Sequence, residues 1–159
     1  MSILERKVDT LVRLCAAEKE SERKILRKEL LELVNAGGQS VPDPEYQIRQ
    51  LLLELGAPDH LLGHPYVIQG VLLCLEDRMY IDSITFGLYP QLAAQFDTTA
   101  TRVERAIRNL VEVTWARGDV DTLTYYFGNT VSPEKGKPTN AEFIARLTNI
   151  IRLRLRQIA

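Results

Sequence analysis

The sequence predicts an all-α fold, a multi-helix domain that contains a helix-turn-helix and follows a short N-terminal helical appendage. Three observations favour it: apolar residues recur at helical spacing, alternating strand patterns are almost absent, and Gly, Pro and capping residues separate the periodic segments. The 159 residues, 45% of them hydrophobic, are enough for one buried core and argue against disorder.

Composition divides the chain into three segments. Residues 1–35 are charged and leucine-rich, contain no Gly or Pro, and form the predicted appendage. Residues 36–44, AGGQSVPDP, concentrate Gly, Ser and Pro, as linkers do. Residues 45–159 form the predicted helical domain, in which the helices follow one another over short connections.

The appendage carries a short apolar seam. Its first part has the 4, 3, 4 spacing of a heptad, in Leu4, Val8, Leu11 and Cys15. The seam is interrupted by Glu18 and Glu22 and resumes in a shifted register at Leu26, Leu30 and Leu33. This pattern predicts two short helices, with Ser21 as the cap of the second, or one helix with a stutter. Two roles are open: a hairpin that packs on its own domain, or an appendage that dimerises the protein.

In the domain, helices are predicted over 45–55, 64–77, 87–96, 99–117, 119–127 and 140–157. Gly56 and Pro58 end the first helix, and Pro65 lies in the first turn of the second. Gly118 follows the fourth helix, where a left-handed residue is expected. The last helix is expected to have Thr139 or Asn140 as its cap.

Charge is distributed unevenly along the chain. The net charge is −1, but residues 42–97 hold eight acidic and two basic side chains, whereas residues 135–159 hold six basic side chains against Glu142 alone. A basic C-terminal segment points to a polyanionic partner. No apolar run approaches the roughly 20 residues of a membrane-spanning helix, and the charged N-terminus is unlike a signal peptide, so we expect a cytoplasmic protein.

No group of residues is typical of an enzyme, a metal site or a cofactor site, and we expect none of the three. His60 and His64 lack the glutamate of a metalloprotease motif, and glycine and proline interrupt their helical turn. Cys15 and Cys74 are too far apart in the sequence for a disulfide framework or a zinc site, and we expect free thiols.

The segment 88–118 carries the strongest functional signal. A first helix is followed by the break Asp97-Thr98-Thr99 and then by a second helix of about five turns, which is the pattern of a helix-turn-helix. One stripe of the second helix is apolar: Val103, Ala106, Ile107 and Leu110. The opposite face and its flanks are polar: Thr101, Arg102, Glu104, Arg105, Arg108, Asn109 and Glu112. Such a helix can enter the major groove of DNA.

These residue types suit DNA recognition. Arginine can donate two hydrogen bonds to guanine, and a carboxylate can accept one from cytosine. The hydroxyl groups of Thr98, Thr99 and Thr101, with the amides at the helix start, suit a phosphate. The alternative is an ordinary solvated helix face, because Arg and Glu are common in exposed helices.

Several motifs in the same order resemble the C-terminal effector domain of the sporulation master response regulator, the stage 0 sporulation protein A family. They are LGAPDHLLG (55–63), SITFGLYPQLAAQF (83–96), TTATRVERAIRNLVEVTWARG (98–118) and FGNTVSPEKGKPTNAEFIA (127–145). The resemblance covers roughly residues 45–155. It implies a sequence-specific DNA-binding transcription regulator whose helix 99–117 reads the major groove.

The resemblance also implies roles for single residues. The base-reading positions are Arg102, Glu104 and Arg105. Arg108 and Asn109 contact bases or backbone, and Asn109 stands where the family usually has histidine. The resemblance places Thr101, Lys135, Lys137 and Thr139 at the DNA backbone, in addition to Thr98 and Thr99, which are expected there from their place at the helix start. The segment 118–131 resembles the region that engages the RNA polymerase sigma subunit, with the candidates Thr122, Tyr126, Phe127 and Val131. Family members bind tandem sites as head-to-tail dimers.

The N-terminus departs from the family, whose classical members begin with an α/β receiver domain. Residues 1–44 are too short for a receiver and offer no phosphoacceptor aspartate, so phosphorylation-driven dimerisation is not implied. A rival interpretation is a non-catalytic adaptor that binds a regulator or the polymerase through residues 2–35 and 118–131. Four aromatic residues are expected to pack in the core and at helix ends: Trp115, Tyr125, Tyr126 and Phe127. The alternative for Tyr126 or Phe127 is a place in a partner surface.

Overall fold

A computed structural model describes residues 3–16, 20–37, 43–128, 130–132 and 134–158 of the chain. These residues are mostly helical and contain no strand, which confirms the all-α prediction. The chain divides into two compact units, residues 1–42 and residues 43–159.

The first unit is a pair of helices, α1 (Ile3–Ala16) and α2 (Glu20–Gly37), packed against each other. Thr10 and Leu26 are buried, whereas Val8 and Leu11 of the predicted seam are 54% and 45% exposed. At these two positions α2 does not cover the seam of α1. Two other members of the seam, Leu4 and Leu33, have side chains outside the described part of the chain.

Two predicted boundaries of this segment differ from the structure. Ser21 lies within the first turn of α2, which begins at Glu20, so Ser21 is not the cap of this helix. The helix continues to Gly37, so the first residues of the predicted linker 36–44 are helical. At the other end of that linker, Pro44 already begins the next helix, and residues 38–42 lie outside the described residues.

The second unit contains α3 (Pro44–Glu54), α4 (Gly63–Glu76), α5 (Met79–Asp82), a π-helical turn (Ile84–Leu88), α6 (Tyr89–Gln95), α7 (Ala100–Arg117), α8 (Val120–Phe127) and α9 (Asn140–Ile158). The predicted bounds lie within two residues of these, but α5 and the π-helical turn were not predicted. Pro90 lies in the first turn of α6. Because proline lacks an N–H, it fits this position better than the middle of a longer helix.

The helix α4 is the centre of the second unit. It packs against α3, α7 and α9, and it is buried on most of its sides. Val67, Val71 and Cys74 are fully buried, and burial raises the pKa of the Cys74 thiol to about 11. Full burial of an aliphatic side chain contributes about 1.5–3 kcal/mol. This helix therefore supplies the apolar platform on which α7 lies.

The end of α3 follows the predicted turn chemistry. Gly56, with φ of +74°, is left-handed, and the Ala57 N–H donates to the Leu52 carbonyl over 2.9 Å, as in a Schellman motif. At the other end of the helix, the Asp43 carboxylate accepts a hydrogen bond of 3.1 Å from the Glu45 N–H.

The left-handed conformation predicted for Gly118 is wrong. Its φ of −68° and ψ of 155° are extended. A Cβ built on Gly118 would lie 2.7 Å from the carbonyl oxygens of Leu55 and Thr114. The glycine is therefore required by the close approach of the end of α3 to the end of α7, and not by its backbone conformation.

Candidate nucleic-acid interface

The helices α6 and α7 form a helix-turn-helix. The chain bends at Asp97, whose φ is +49°, and the Thr98 N–H donates to the Ala93 carbonyl over 2.9 Å. The hydroxyl oxygen of Thr99 caps α7 by accepting a hydrogen bond from the Arg102 N–H over 3.3 Å. The remaining N–H groups of the first turn and the positive end of the helix dipole favour an anion at this point.

An apolar stripe anchors α7 to the domain. Val103, Ile107 and Leu110 are fully buried. Gly63 at the start of α4 approaches α7 closely, because a Cβ built there would lie 2.3 Å from the Ala106 carbonyl oxygen. A side chain at this position would push the two helices apart. Sequence analysis missed this contact, since the two residues are far apart in the chain.

The outer stripe of α7 consists of Arg102, Arg105 and Asn109. Their spacing of three and four residues brings them to one side of the helix. All three are exposed, and neither arginine has an ion pair within the described ranges. Their guanidinium groups are therefore available to a ligand.

A second stripe of α7 faces a groove of about 790 Å³ between this helix and the loop before α9. This groove stripe consists of Thr101, Glu104, Arg108 and Glu112. Glu104 and Arg108 form an ion pair one turn apart. Across the groove, the Glu112 Oε1 lies 2.9 Å from the Lys137 Nζ. Two of the cations predicted to contact DNA are thus paired with carboxylates of α7.

The loop before α9 is held by its own backbone. The N–H groups of Lys135 and Gly136 donate to the Ser132 carbonyl over 3.0 and 3.1 Å, and Gly136 is left-handed with φ of +69°. Thr139 caps α9 together with Glu142: the N–H of each donates to the side chain of the other, over 2.9 and 3.2 Å. The exposed lysines therefore project from a defined turn.

Asn140 joins this loop to α7, a role that sequence analysis missed. Its Nδ2 donates to the Tyr89 hydroxyl over 3.1 Å and to the Glu104 carbonyl oxygen over 3.0 Å. These partners are 51 and 36 residues away in the chain, so no local pattern indicates the contacts. Burial raises the pKa of the Tyr89 hydroxyl, which stays protonated at neutral pH. The Asn140 amide fixes the start of α9 relative to α6 and α7.

The basic C-terminal segment is partly engaged within the protein. Arg146 and Arg152 donate to main-chain carbonyl oxygens of α8 and α4 over 2.6 and 3.0 Å. Arg154 donates to both carboxylate oxygens of Glu54 over 3.2 and 2.9 Å. These arginines connect helices of the domain. The evidence for a polyanionic partner therefore comes from α7 and from the neighbouring loop before α9. We call this loop, which carries Lys135 and Lys137, the lysine loop.

Burial contradicts one of the predicted partner-surface residues. Phe127 is 1% exposed and stacks on an aromatic ring of α9, with the ring centroids 5.6 Å apart. Thr122 and Tyr126 are half-buried, and Val131 packs partly against the core. Tyr125, expected to pack in the core or at a helix end, is instead 79% exposed. The aromatic side chain that α8 presents to solvent is therefore Tyr125.

Three further features bear on the expected chemistry. Within the described ranges no helix is both long and apolar enough to cross a membrane. In the same part of the chain no cluster of three His, Cys, Asp or Glu side chains has the arrangement of a metal site. Cys15 is an exposed free thiol and Cys74 a buried one.

A comparison with known families gives a match over residues 48–151, more than half of the chain. The matching family is described as Sporulation initiation factor Spo0A C terminal. The match includes the helix-turn-helix, both stripes of α7 and the lysine loop. It agrees with the resemblance of the four sequence motifs. The chain therefore belongs to the Spo0A C-terminal family, the DNA-binding effector domain of a response regulator that controls transcription in sporulation.

Proposed function

We propose that this protein is a sequence-specific transcription regulator that binds double-stranded DNA with α7 in the major groove. The observation that carries the proposal is the outer stripe, in which two guanidinium groups that have no ion pair among the described residues project from one side of an anchored helix. Arg102 and Arg105 donate to guanine, and Glu104 accepts from cytosine. Arg108 and Asn109 contact bases or the adjoining backbone.

Phosphate contacts come from both borders of the groove and set the register of α7 on the duplex. At the start of α7, hydroxyl and N–H groups serve this role, at Thr98, Thr99 and Thr101. On the opposite border, the contacts are Lys135, Lys137 and Thr139. A basic loop beside an inserted helix supplies affinity that is independent of sequence, while the outer stripe supplies the preference for particular bases.

A binding comparison tests the base-reading role of α7. The wild-type protein first selects a preferred duplex from a random pool, and fluorescence anisotropy then measures affinities for that duplex and for random DNA. We expect Arg105→Ala to weaken the free energy of binding to the selected duplex by about 1–3 kcal/mol, and to weaken binding to random DNA by less. Arg117→Ala, the same change in the exposed last turn of α7, is the control and should leave the preference intact. Equal losses on both duplexes for Arg105→Ala would refute base reading.

The surface of α8 is proposed to bind the RNA polymerase sigma subunit. This part of the proposal is supported by the exposure of Val120 and Tyr125, which are 73% and 79% accessible. Tyr125→Ala should weaken binding to a purified sigma subunit without changing DNA affinity. Tyr46→Ala, which removes another exposed tyrosine on α3, is the control. Unchanged sigma binding by Tyr125→Ala would exclude this surface.

The helix α1 is proposed to dimerise the protein with a second copy. Val8, Leu11 and Val12 form an apolar strip that is 45–62% exposed, and the first two belong to the predicted heptad seam. Among the described side chains of the hairpin only Thr10 and Leu26 are buried, and two short helices are stabilised by further packing. A second copy presents the same strip, and a two-fold axis pairs the strips.

Sedimentation of the full chain tests the dimer. We expect the wild-type protein to form dimers and Leu11→Glu to be monomeric, because the new carboxylate would have to be desolvated in the seam. Leu153→Glu, the same change at an exposed leucine of α9, is the control. A wild-type protein that stays monomeric at high concentration would exclude the dimer and favour a hairpin that packs on its own domain.

A further inference from the structure

Two lysines of the loop before α9 differ in their surroundings. The Lys137 Nζ lies 2.9 Å from the Glu112 Oε1, whereas Lys135 has no ion pair within the described residues. Both lysines are exposed and both border the groove beside α7. The helix that is to read the bases therefore also supplies a carboxylate to one of the two cations beside it.

Glu112 has no other bonding partner among the described side chains. It is exposed, and its single hydrogen bond is the one from Lys137. That hydrogen bond and the charge of Lys137 lower the pKa of the Glu112 carboxyl group, which is ionised at neutral pH. In the DNA complex, a carboxylate at this position would lie close to the phosphates that Lys137 contacts.

We propose that Glu112 competes with the DNA backbone for Lys137 and thereby lowers the affinity for every duplex; this inference rests on the proposed function. When a phosphate approaches, Lys137 either leaves Glu112 or brings the carboxylate close to the phosphate. Either event opposes binding. The competition limits retention on non-specific DNA, where backbone contacts supply nearly all of the affinity. Stable binding then depends on the base contacts of Arg102 and Arg105.

A double-substitution cycle on the full chain tests the competition. Wild-type protein, Glu112→Gln, Lys137→Ala and the double variant are compared on random DNA by anisotropy at several salt concentrations. We expect Glu112→Gln to tighten binding about three-fold, the size expected of an exposed ion pair. Lys137→Ala should weaken DNA binding in both backgrounds, and the fold-loss of affinity should be about three times larger in the Glu112→Gln protein than in the wild type. The slope of log K against log salt should steepen by up to about 0.9 in Glu112→Gln, as for one more phosphate contact.

Glu45→Gln is the matched control. It removes one carboxylate from another exposed ion pair, 2.7 Å from Arg49 on α3 and outside the groove. Equal tightening by Glu45→Gln, or an equal cost of Lys137→Ala in both backgrounds, overturns the competition. Because the cycle is measured on random DNA, a missing preference for a selected duplex overturns only the sequence-specific function. Failure of the wild-type protein to bind either DNA overturns both proposals.

Discussion

Two residues of the same type can have different roles in this protein, depending on whether their polar atoms already form hydrogen bonds or ion pairs within the fold. Arg105 is exposed and without an ion pair in the described ranges, whereas Arg154 is bonded to Glu54. The same contrast separates Asn109, which is exposed on α7, from Asn140, whose amide bridges two other helices. Sequence spacing identified the members of α7 because the helix itself sets their direction. It could not identify Asn140, whose partners are brought near only by the complete fold.

Asn140→Ala should lower the free energy of unfolding by about 1–2 kcal/mol, because two hydrogen bonds are lost. It should also weaken binding to all duplexes, since the lysine loop would no longer be fixed to α7. Urea unfolding and anisotropy measure the two effects. Asn109→Ala, at an exposed position, should change stability by less than about 0.5 kcal/mol. An Asn140→Ala protein as stable as the wild type would contradict the bridging role.

At the scale of elements, the position of α7 is set by contacts with neighbouring helices as well as by its own apolar stripe. Amphipathic periodicity predicted the stripe, and Thr139 was one of the two caps expected for the last helix because it precedes a helical segment directly. The π-helical turn and α5 were not predictable, since neither is long enough to show a period. The conformation of Gly118 was predicted wrongly from the sequence, because glycine is favoured both in a left-handed turn and where two backbones approach closely.

Gly63→Ala should destabilise the domain by about 1–3 kcal/mol through overpacking, because the new methyl group would meet the backbone of α7. Gly70→Ala is the control in the same helix. There a Cβ would lie 3.5 Å from a Leu92 methyl group, which is ordinary contact, and alanine favours the helix. Thermal unfolding of both variants measures the difference. Equal effects at the two positions would show that α4 does not fix α7 through Gly63.

At the scale of the whole DNA-binding domain, one polar cluster connects three helices that are distant in sequence. Glu54 of α3 accepts hydrogen bonds from Tyr126 of α8 and Arg154 of α9. Partial burial alone would raise the pKa of Glu54, but the hydrogen bonds and the positive charge of Arg154 outweigh it, and the pKa is lowered. Burial and the hydrogen bond to Glu54 raise the pKa of the Tyr126 hydroxyl.

Glu54→Gln should remove part of the pH dependence of stability. Because the folded protein holds the pKa of Glu54 below its ordinary value of 4.5, the ionised form stabilises the fold above pH 4.5, and this contribution is lost as the pH falls through the folded value. The carboxylate is partly exposed, so we expect a loss of only about 0.5–1 kcal/mol at pH 7. Chemical unfolding at a series of pH values should show this difference disappearing in acid. A difference that persists in acid would contradict the assignment.

The overall architecture was more predictable from sequence than the site. Helical periodicity and punctuation by Gly and Pro are local, so they predicted most helices and the polar face of α7. The ion pair of Glu112 with Lys137 joins residues 25 positions apart, and its existence depends on how the lysine loop returns to α7. The burial of Phe127 and the exposure of Tyr125 also depend on the complete fold, because the sequence alone did not indicate which side of α8 faces the core.

The amide bridge of Asn140 has a consequence for the duplex. Because it bonds the start of α9 to the helix that is proposed to read bases, it limits how far the loop that is proposed to hold phosphates can move from that helix. DNA whose groove dimensions differ must bend or twist to fit, at a cost that depends on the stiffness of its base steps. Flanking sequences that the protein never touches should therefore influence how tightly it binds.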